Sequence, residues 1–303
     1  MAPPIQVEVV RGGVVEATHT VHAVAVLDGE IVAEEGDPSP IVFLRSAAKP
    51  IQVLPLVRAR PDLDDAEIAI ACSSHLARPE QLAIVRALLA KAQADESDLE
   101  TGPDPTPIEH TCSGKHAGFL LLCRERGYET KGYRLASHPL QVELLAMVAA
   151  AAEVDPASIR VAIDGCGVPT FALALHRCAH AFARLPHLEG GPRVASAIRA
   201  HPEMLRGPIA ADALVVREVD GWIAKGGAEG LFCAGSPDGL GVALKVEDGA
   251  FRAIRPALAH FLEQLGIATG ELGFVTLENS RGETVGELRT RPQTRGTEGR
   301  THV

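Results

Sequence analysis

Valine-rich, strand-like runs at both ends of the chain enclose a long helical middle, and this order limits the fold more than any other feature of the sequence. Over the first 45 residues, Val7, Val9 and Val10, then Val21, Val24 and Val26, then Ile31 and Val32 form short apolar stretches. Gly12-Gly13 and Asp28-Gly29 punctuate them as hairpin turns, so an antiparallel meander is expected. From Pro50 the pattern turns helical, with amphipathic helices expected over 79–94, 117–126, 139–153, 170–183 and 193–204. A short strand leads to Ile163 between them. Strands are expected again from Leu214, over 214–218, 221–225, 241–247 and 273–277. Terminal strands that join in one antiparallel sheet, with a helical insert at about 50–210, make an α+β fold. With no repeat or linker in between, residues 1–288 read as a single domain; 289–303, almost without apolar residues, read as a disordered tail.

The bulk properties exclude several function classes. A formal net charge of −10 argues against nucleic acid or an anionic membrane as the main partner, because both select basic surfaces. No apolar run approaches the roughly 18–20 residues needed to span a bilayer. The first residues, MAPPIQVEVVRGGVVEA, do not have the pattern of a secretory leader, so a cytoplasmic protein is expected. Six widely spread cysteines do not form a disulfide framework and are expected as reduced thiols.

Chemistry concentrates in five segments. Arg45-Ser46-Ala47-Ala48-Lys49-Pro50 contains Ser-x-x-Lys, a pattern that arises by chance about once in a chain of this length. Its place at a strand-to-helix junction puts Ser46 and Lys49 one turn apart on one helix face, where a buried, neutral lysine can take the serine proton. Cys72-Ser73-Ser74-His75 follows the apolar run Ile68–Ala71, and its serines also suit a helix N-cap. Far downstream, Lys225-Gly226-Gly227 parallels the Lys-Thr-Gly element that accompanies Ser-x-x-Lys in penicillin-recognising enzymes. Lysine is scarce beside arginine in this chain, and it is the base whose proton affinity burial can tune.

The fourth feature is a pair of glycine-flanked cysteines, in Thr111-Cys112-Ser113-Gly114-Lys115-His116 and Asp164-Gly165-Cys166-Gly167-Val168-Pro169. Three readings stand: a cysteine nucleophile paired with His116, a soft metal site completed by histidine or lysine, or plain buried thiols. No standard zinc spacing is present.

Taken in order, these segments, with the N-terminal valine run and Asn279–Gly286, resemble the Rhizobium-type L-asparaginase II family over roughly residues 5–288. The resemblance implies a fold similar to serine β-lactamases and glutaminases, and hydrolysis of L-asparagine to L-aspartate and ammonia. Carried across by motif, it implies two serine–lysine pairs, Ser46 with Lys49 and Ser74 with Lys225. It implies zinc on Cys112, Lys115 and Cys166, assisting substrate binding, with Arg45, His75 and Asp164 as substrate-binding residues. It also suggests a homodimer. Leu76-Ala77-Arg78 departs from the small polar tract expected after Ser74-His75, which bears on the edge of the pocket.

The expected mechanism is acyl transfer, with Ser46 as nucleophile, Lys49 as base, and Ser74 and Lys225 relaying protons or stabilising the oxyanion. The alternatives are a glutaminase, another small-amide or β-lactam-like hydrolase, or a non-catalytic zinc-dependent amino-acid-binding protein.

Overall fold

The structure is a computed structural model that describes residues 2–103 and 105–292. Its strands are Ile5–Arg11 (β1), Val14–Leu27 (β2), Glu30–Glu35 (β3), Ile41–Phe43 (β4), Arg160–Ile163 (β5) and Pro169–Ala174 (β6). Ile223–Gly226 (β7), Leu231–Gly235 (β8), Leu240–Val246 (β9), Val275–Glu278 (β10) and Thr284–Thr290 (β11) follow. Among the described residues, eight strands form one antiparallel sheet in the order β10-β11-β1-β2-β9-β8-β7, with β3 pairing to β2. β1 pairs with β11, so the two ends of the chain close the sheet around the helical insert, and the α+β expectation holds.

Strand alternation divides the apolar residues between two cores. Val21, Ala23 and Ala25 of β2 face one way, together with Val242 and Leu244 of β9 and the helix Ile254–Gln264. That helix buries Ile254, Leu258, Phe261 and Leu262, a stripe at helical spacing. Val24 and Val26 face the other way, into the helical body. The same period on β7 sets Ala224 in the first core and Ile223 in the second. Lys225 therefore shares a face with Ile223 and turns towards the helices.

Four expectations are corrected. Residues 214–218 are not a strand but part of the helix Ala211–Glu218, which buries Ala211 and Val215 one turn apart; the Val215-Val216 pair suggested otherwise. Residues 170–174 belong to β6, inside a second, three-stranded sheet ordered β4-β6-β5. Strands β8 and β11 were not foreseen; β8 is buried on both faces, so it shows no alternation to read. Arg289 and Thr290, assigned to a disordered tail, are strand residues of β11 paired with Glu8 and Val7. Arg291 bonds Glu8 at 2.7 Å, and the rest of that segment, 293–303, lies outside the described residues.

The helix expected over 117–126 begins earlier, at Ser113, and runs to Arg126. Gly114 permits this, because a Cβ there would stand 2.2 Å from the Ile70 carbonyl oxygen of the helix Asp65–Ala71. Only a glycine lets the two helices approach so closely, and the contact brings Cys112 and Lys115 beside the Ser73-Ser74 segment.

Candidate active site

Strand β4 delivers the first residues of the site. Leu44 N–H donates to the Phe171 carbonyl at 2.9 Å. Arg45 then turns the chain with φ +48°, a left-handed conformation that costs a non-glycine residue about 1–3 kcal/mol. Two bonds offset that strain: Arg45 N–H donates to Thr170 Oγ1 at 3.0 Å and Arg45 Nε to Asp164 Oδ1 at 2.6 Å. The turn leads directly into a 3₁₀ turn, Arg45–Ala48, and the short helix Lys49–Gln52. Ser46 is left at the surface of a cavity and Lys49 inside, 1% exposed.

Ser73 and Ser74 come from a different element. They follow the C-terminal end of the helix Asp65–Ala71, rather than capping a helix start. That helix is capped at its other end by Asp64 and Glu67 reciprocally, at 2.8 and 2.9 Å. Beyond it the chain is pinned by Ser74 N–H to the Leu205 carbonyl at 2.6 Å and His75 N–H to the Thr111 carbonyl at 3.1 Å.

The lysines are partnered differently from the expectation. Lys49 Nζ lies 3.0 Å from Ser74 Oγ and also donates to the Ser73 carbonyl. The Ser46 hydroxyl has no hydrogen bond among the described residues, so Lys49 pairs with Ser74 and not with its helix neighbour. Lys225 is not paired with Ser74 either. Its Nζ lies 2.8 Å from Asp212 Oδ2 and 3.0 Å from the Gly226 carbonyl, with lysine and aspartate 0% and 1% exposed.

These settings act on proton affinity in different ways. Burial pushes the Lys49 amine down to about 8, with Lys115 and Lys225 adding repulsion against attraction from Cys112 and Cys166. Burial alone would raise the Asp212 carboxyl, but Lys225 outweighs it and holds the group below its ordinary value. Ser74 therefore sits beside an amine that readily becomes neutral, while Lys225 is matched by a carboxylate.

The expected substrate residues divide. Arg45, Ser46, Ser74, Cys112, Asp164 and Cys166 line one cavity of about 310 Å³, and Leu76 forms part of its edge. His75 is not among its lining residues but is fully buried in the wall. Its Nδ1 accepts the Ala77 N–H at 3.1 Å, so the proton resides on Nε2 and is donated to Ser113 Oγ at 2.8 Å. Burial lowers the ring to about 4, so it stays neutral and positions Ser113. Gly227 does not open backbone to the cavity; it accommodates Leu44, whose carbonyl oxygen a Cβ there would meet at 2.7 Å.

Lys115 Nζ stands 3.2 Å from Cys166 Sγ, and Cys112 lines the same cavity as Cys166. The neighbouring Cys166, with Lys49 and Lys115, holds Cys112 well below the usual thiol range against burial, while Cys112 and burial raise Cys166. Burial would lower Lys115, but Cys166 and Cys112 outweigh it and raise it. His116 bonds Tyr133 through Nδ1 at 2.7 Å and its Nε2 is buried without a hydrogen-bond partner, so among the described residues it is paired with neither cysteine. All six cysteines are free and buried.

The L-asparaginase II family model matches residues 7–290, which include every one of these residues. The chain belongs to the L-asparaginase II family. Membership places it among the amidohydrolases. No curated protein matches it. Among solved structures it is similar to Mglu in its native form, at 12% identity and TM-score 0.41, over 82% of this chain and 62% of that one. It is also similar to a Bacillus subtilis glutaminase in covalent complex with 5-oxo-L-norleucine, at 12% identity and TM-score 0.39, over 82% and 88% of the two chains. A Mycobacterium bovis β-lactamase is similar at 15% identity and TM-score 0.31, over 76% and 87%. Scores below 0.5 at such identities assign neither residue nor substrate.

Two residues of this family member's site escaped the sequence reading. Asp212 carried one signal, an acid inside the apolar run Ile209–Val216, which the strand assignment hid. Arg206, which lines the cavity, carried none, since arginine is plentiful in the chain.

Proposed function

We propose that Ser74 and Lys49 hydrolyse the side-chain amide of a small amino acid, L-asparagine first, to the acid and ammonia. The observation that carries this reading is the 3.0 Å contact between Lys49 Nζ and Ser74 Oγ at a cavity of about 310 Å³. Neutral Lys49 takes the Ser74 proton as Oγ attacks the amide carbon. The ammonium so formed returns that proton to the departing nitrogen, the C–N bond breaks, and ammonia leaves an aspartyl ester on Ser74. Water, deprotonated by the same lysine, then releases the acid and restores the serine. The unpartnered Ser46 hydroxyl at the cavity supplies a donor to the developing oxyanion. A second reading makes Ser46 the nucleophile, with Ser74 relaying its proton to Lys49; the strained Arg45 turn that presents Ser46 to the cavity favours it.

Zinc on Cys112, Lys115 and Cys166 is part of the proposal. Two sulfurs and a nitrogen are a donor set that zinc accepts, and Lys115 Nζ already lies 3.2 Å from Cys166 Sγ. Among the described residues no three His, Cys, Asp or Glu side chains group to hold a metal, so the lysine is required as a ligand and must give up its proton. When bound, zinc supplies Lewis-acid polarisation at the cavity wall.

Ammonia release from L-asparagine, L-glutamine and a chromogenic β-lactam's ring opening, measured side by side, tests the reading. Fastest turnover of asparagine supports it. Faster glutamine turnover makes the protein a glutaminase, faster β-lactam opening a lactamase-like hydrolase, and no turnover at all a binding protein. No helix among the described residues is long and apolar enough to cross a membrane.

A further inference from the structure

Two guanidinium groups line the cavity, and they differ in what already satisfies them. Arg45 is matched by Asp164 at 2.6 Å. Arg206 forms no ion pair and donates no side-chain hydrogen bond among the described residues, and its Nε is buried without a partner. Asp212, an acid that attracts it, meets Lys225 at 2.8 Å and the Gly226 N–H at 3.2 Å through Oδ2. Its Oδ1 is buried without a hydrogen-bond partner, and no ion pair joins Asp212 to Arg206 among the described residues. Arg206 is nonetheless held in place: its guanidinium carbon lies 5.6 Å from the centre of the Phe251 ring, and its carbonyl accepts from Gln81 Nε2 at 3.1 Å. Stacking occupies a face of a guanidinium and leaves the in-plane N–H fork free. The preceding residue, Leu205, accepts the Ser74 N–H at 2.6 Å, so the guanidinium is anchored one residue from the support of the proposed nucleophile.

We infer that Arg206 binds the α-carboxylate of the amino-acid substrate. A cation with a buried, unsatisfied donor, fixed at the wall of the cavity, needs an anion that arrives with the ligand. A carboxylate matches the fork in shape and charge and would fix the side-chain amide at a set distance from Ser74. This inference rests on the amidohydrolase reading of the same cavity and names Arg206 as its specificity-determining residue.

The test compares wild type with Arg206→Gln on L-asparagine and on 3-aminopropanamide, which keeps the amide but lacks the α-carboxylate. The expected result is a rise in KM for asparagine of roughly 10- to 100-fold with kcat within about threefold. For 3-aminopropanamide, wild type and variant should be equally poor. Arg206→Lys, which keeps the charge without the fork, should recover part of the KM and carries the test if the glutamine variant does not fold. A KM for asparagine within about twofold of wild type in both variants overturns the inference. If wild type releases no ammonia from any amide, the hydrolytic reading fails by itself, and calorimetric binding of L-aspartate takes over. Binding weakened about tenfold or more by Arg206→Gln then supports the carboxylate site; equal binding, or none to wild type, overturns it.

Discussion

Lys49 and Lys225 are equally buried, at 1% and 0% exposed, yet they are chemically unlike. Asp212 lies against Lys225 at 2.8 Å, whereas among the described residues Lys49 has no carboxylate within ion-pair distance and donates to a serine hydroxyl and a carbonyl. Burial alone therefore does not make a base; the presence or absence of a counter-ion decides whether a buried lysine keeps its proton. One lysine lies 3.0 Å from the Ser74 hydroxyl, and the other ties the strand β7 to the helix Ala211–Glu218.

The contrast breaks most visibly if the lysines are replaced in turn. Lys49→Met should lower kcat for amide hydrolysis by roughly 10²–10⁴-fold while the protein stays folded, because an apolar side chain suits this buried position. Steady-state rates and a denaturant titration check both parts. Full activity in Lys49→Met would remove the lysine from the chemistry.

Asp212→Ala should instead act on stability. It leaves Lys225 buried without its counter-ion, and breaking such a pair costs about 3–5 kcal/mol. A loss of unfolding free energy of that size, read as a lower denaturant midpoint at unchanged slope, is expected, with much of it recovered in Asp212→Ala/Lys225→Met. An unchanged midpoint in the single variant would show that the pair is not a structural tie.

The pH profile sharpens the same difference. Catalysis by Lys49 needs the neutral amine, whose proton affinity is pushed down to about 8. The rate should therefore rise through about pH 8 and fall about tenfold per unit on the acid side. A profile flat from pH 6 to about 10, or one that declines as pH rises through 8, contradicts Lys49 as the base. The smallest expected effect concerns metal: protein purified without chelator should carry about one zinc per chain, lost in Cys166→Ala, by elemental analysis. No zinc in wild type would dismiss that site.

Much of the fold was legible because its terminal strands alternate and its turns carry glycine. That strands from the two ends of the chain join in one antiparallel sheet followed from the β–α–β order, but β11, which closes the sheet on β1, was not foreseen. What misled were short apolar runs buried on both sides, such as 170–174 and 231–235, where period gives no answer. At the site, Ser46, Ser74, Cys112, Asp164 and Cys166 were found by their motifs and do meet at one cavity. Their pairing was not legible. Sequence spacing shows that Lys49 and Ser46 share a helix face, but Ser74, which meets Lys49, stands 25 positions further along the chain on a different element. Asp212 and Arg206 matter only through what stands next to them in space, and no local pattern records that.

The most direct measurement is the initial rate of ammonia release from L-asparagine near pH 8.5, with wild type, Ser74→Ala and Ser46→Ala in parallel. Ser74 as the nucleophile held by Lys49 predicts a rate reduced by roughly 10³-fold or more in Ser74→Ala, with a weaker loss in Ser46→Ala. Wild-type turnover in a folded Ser74→Ala protein would contradict it.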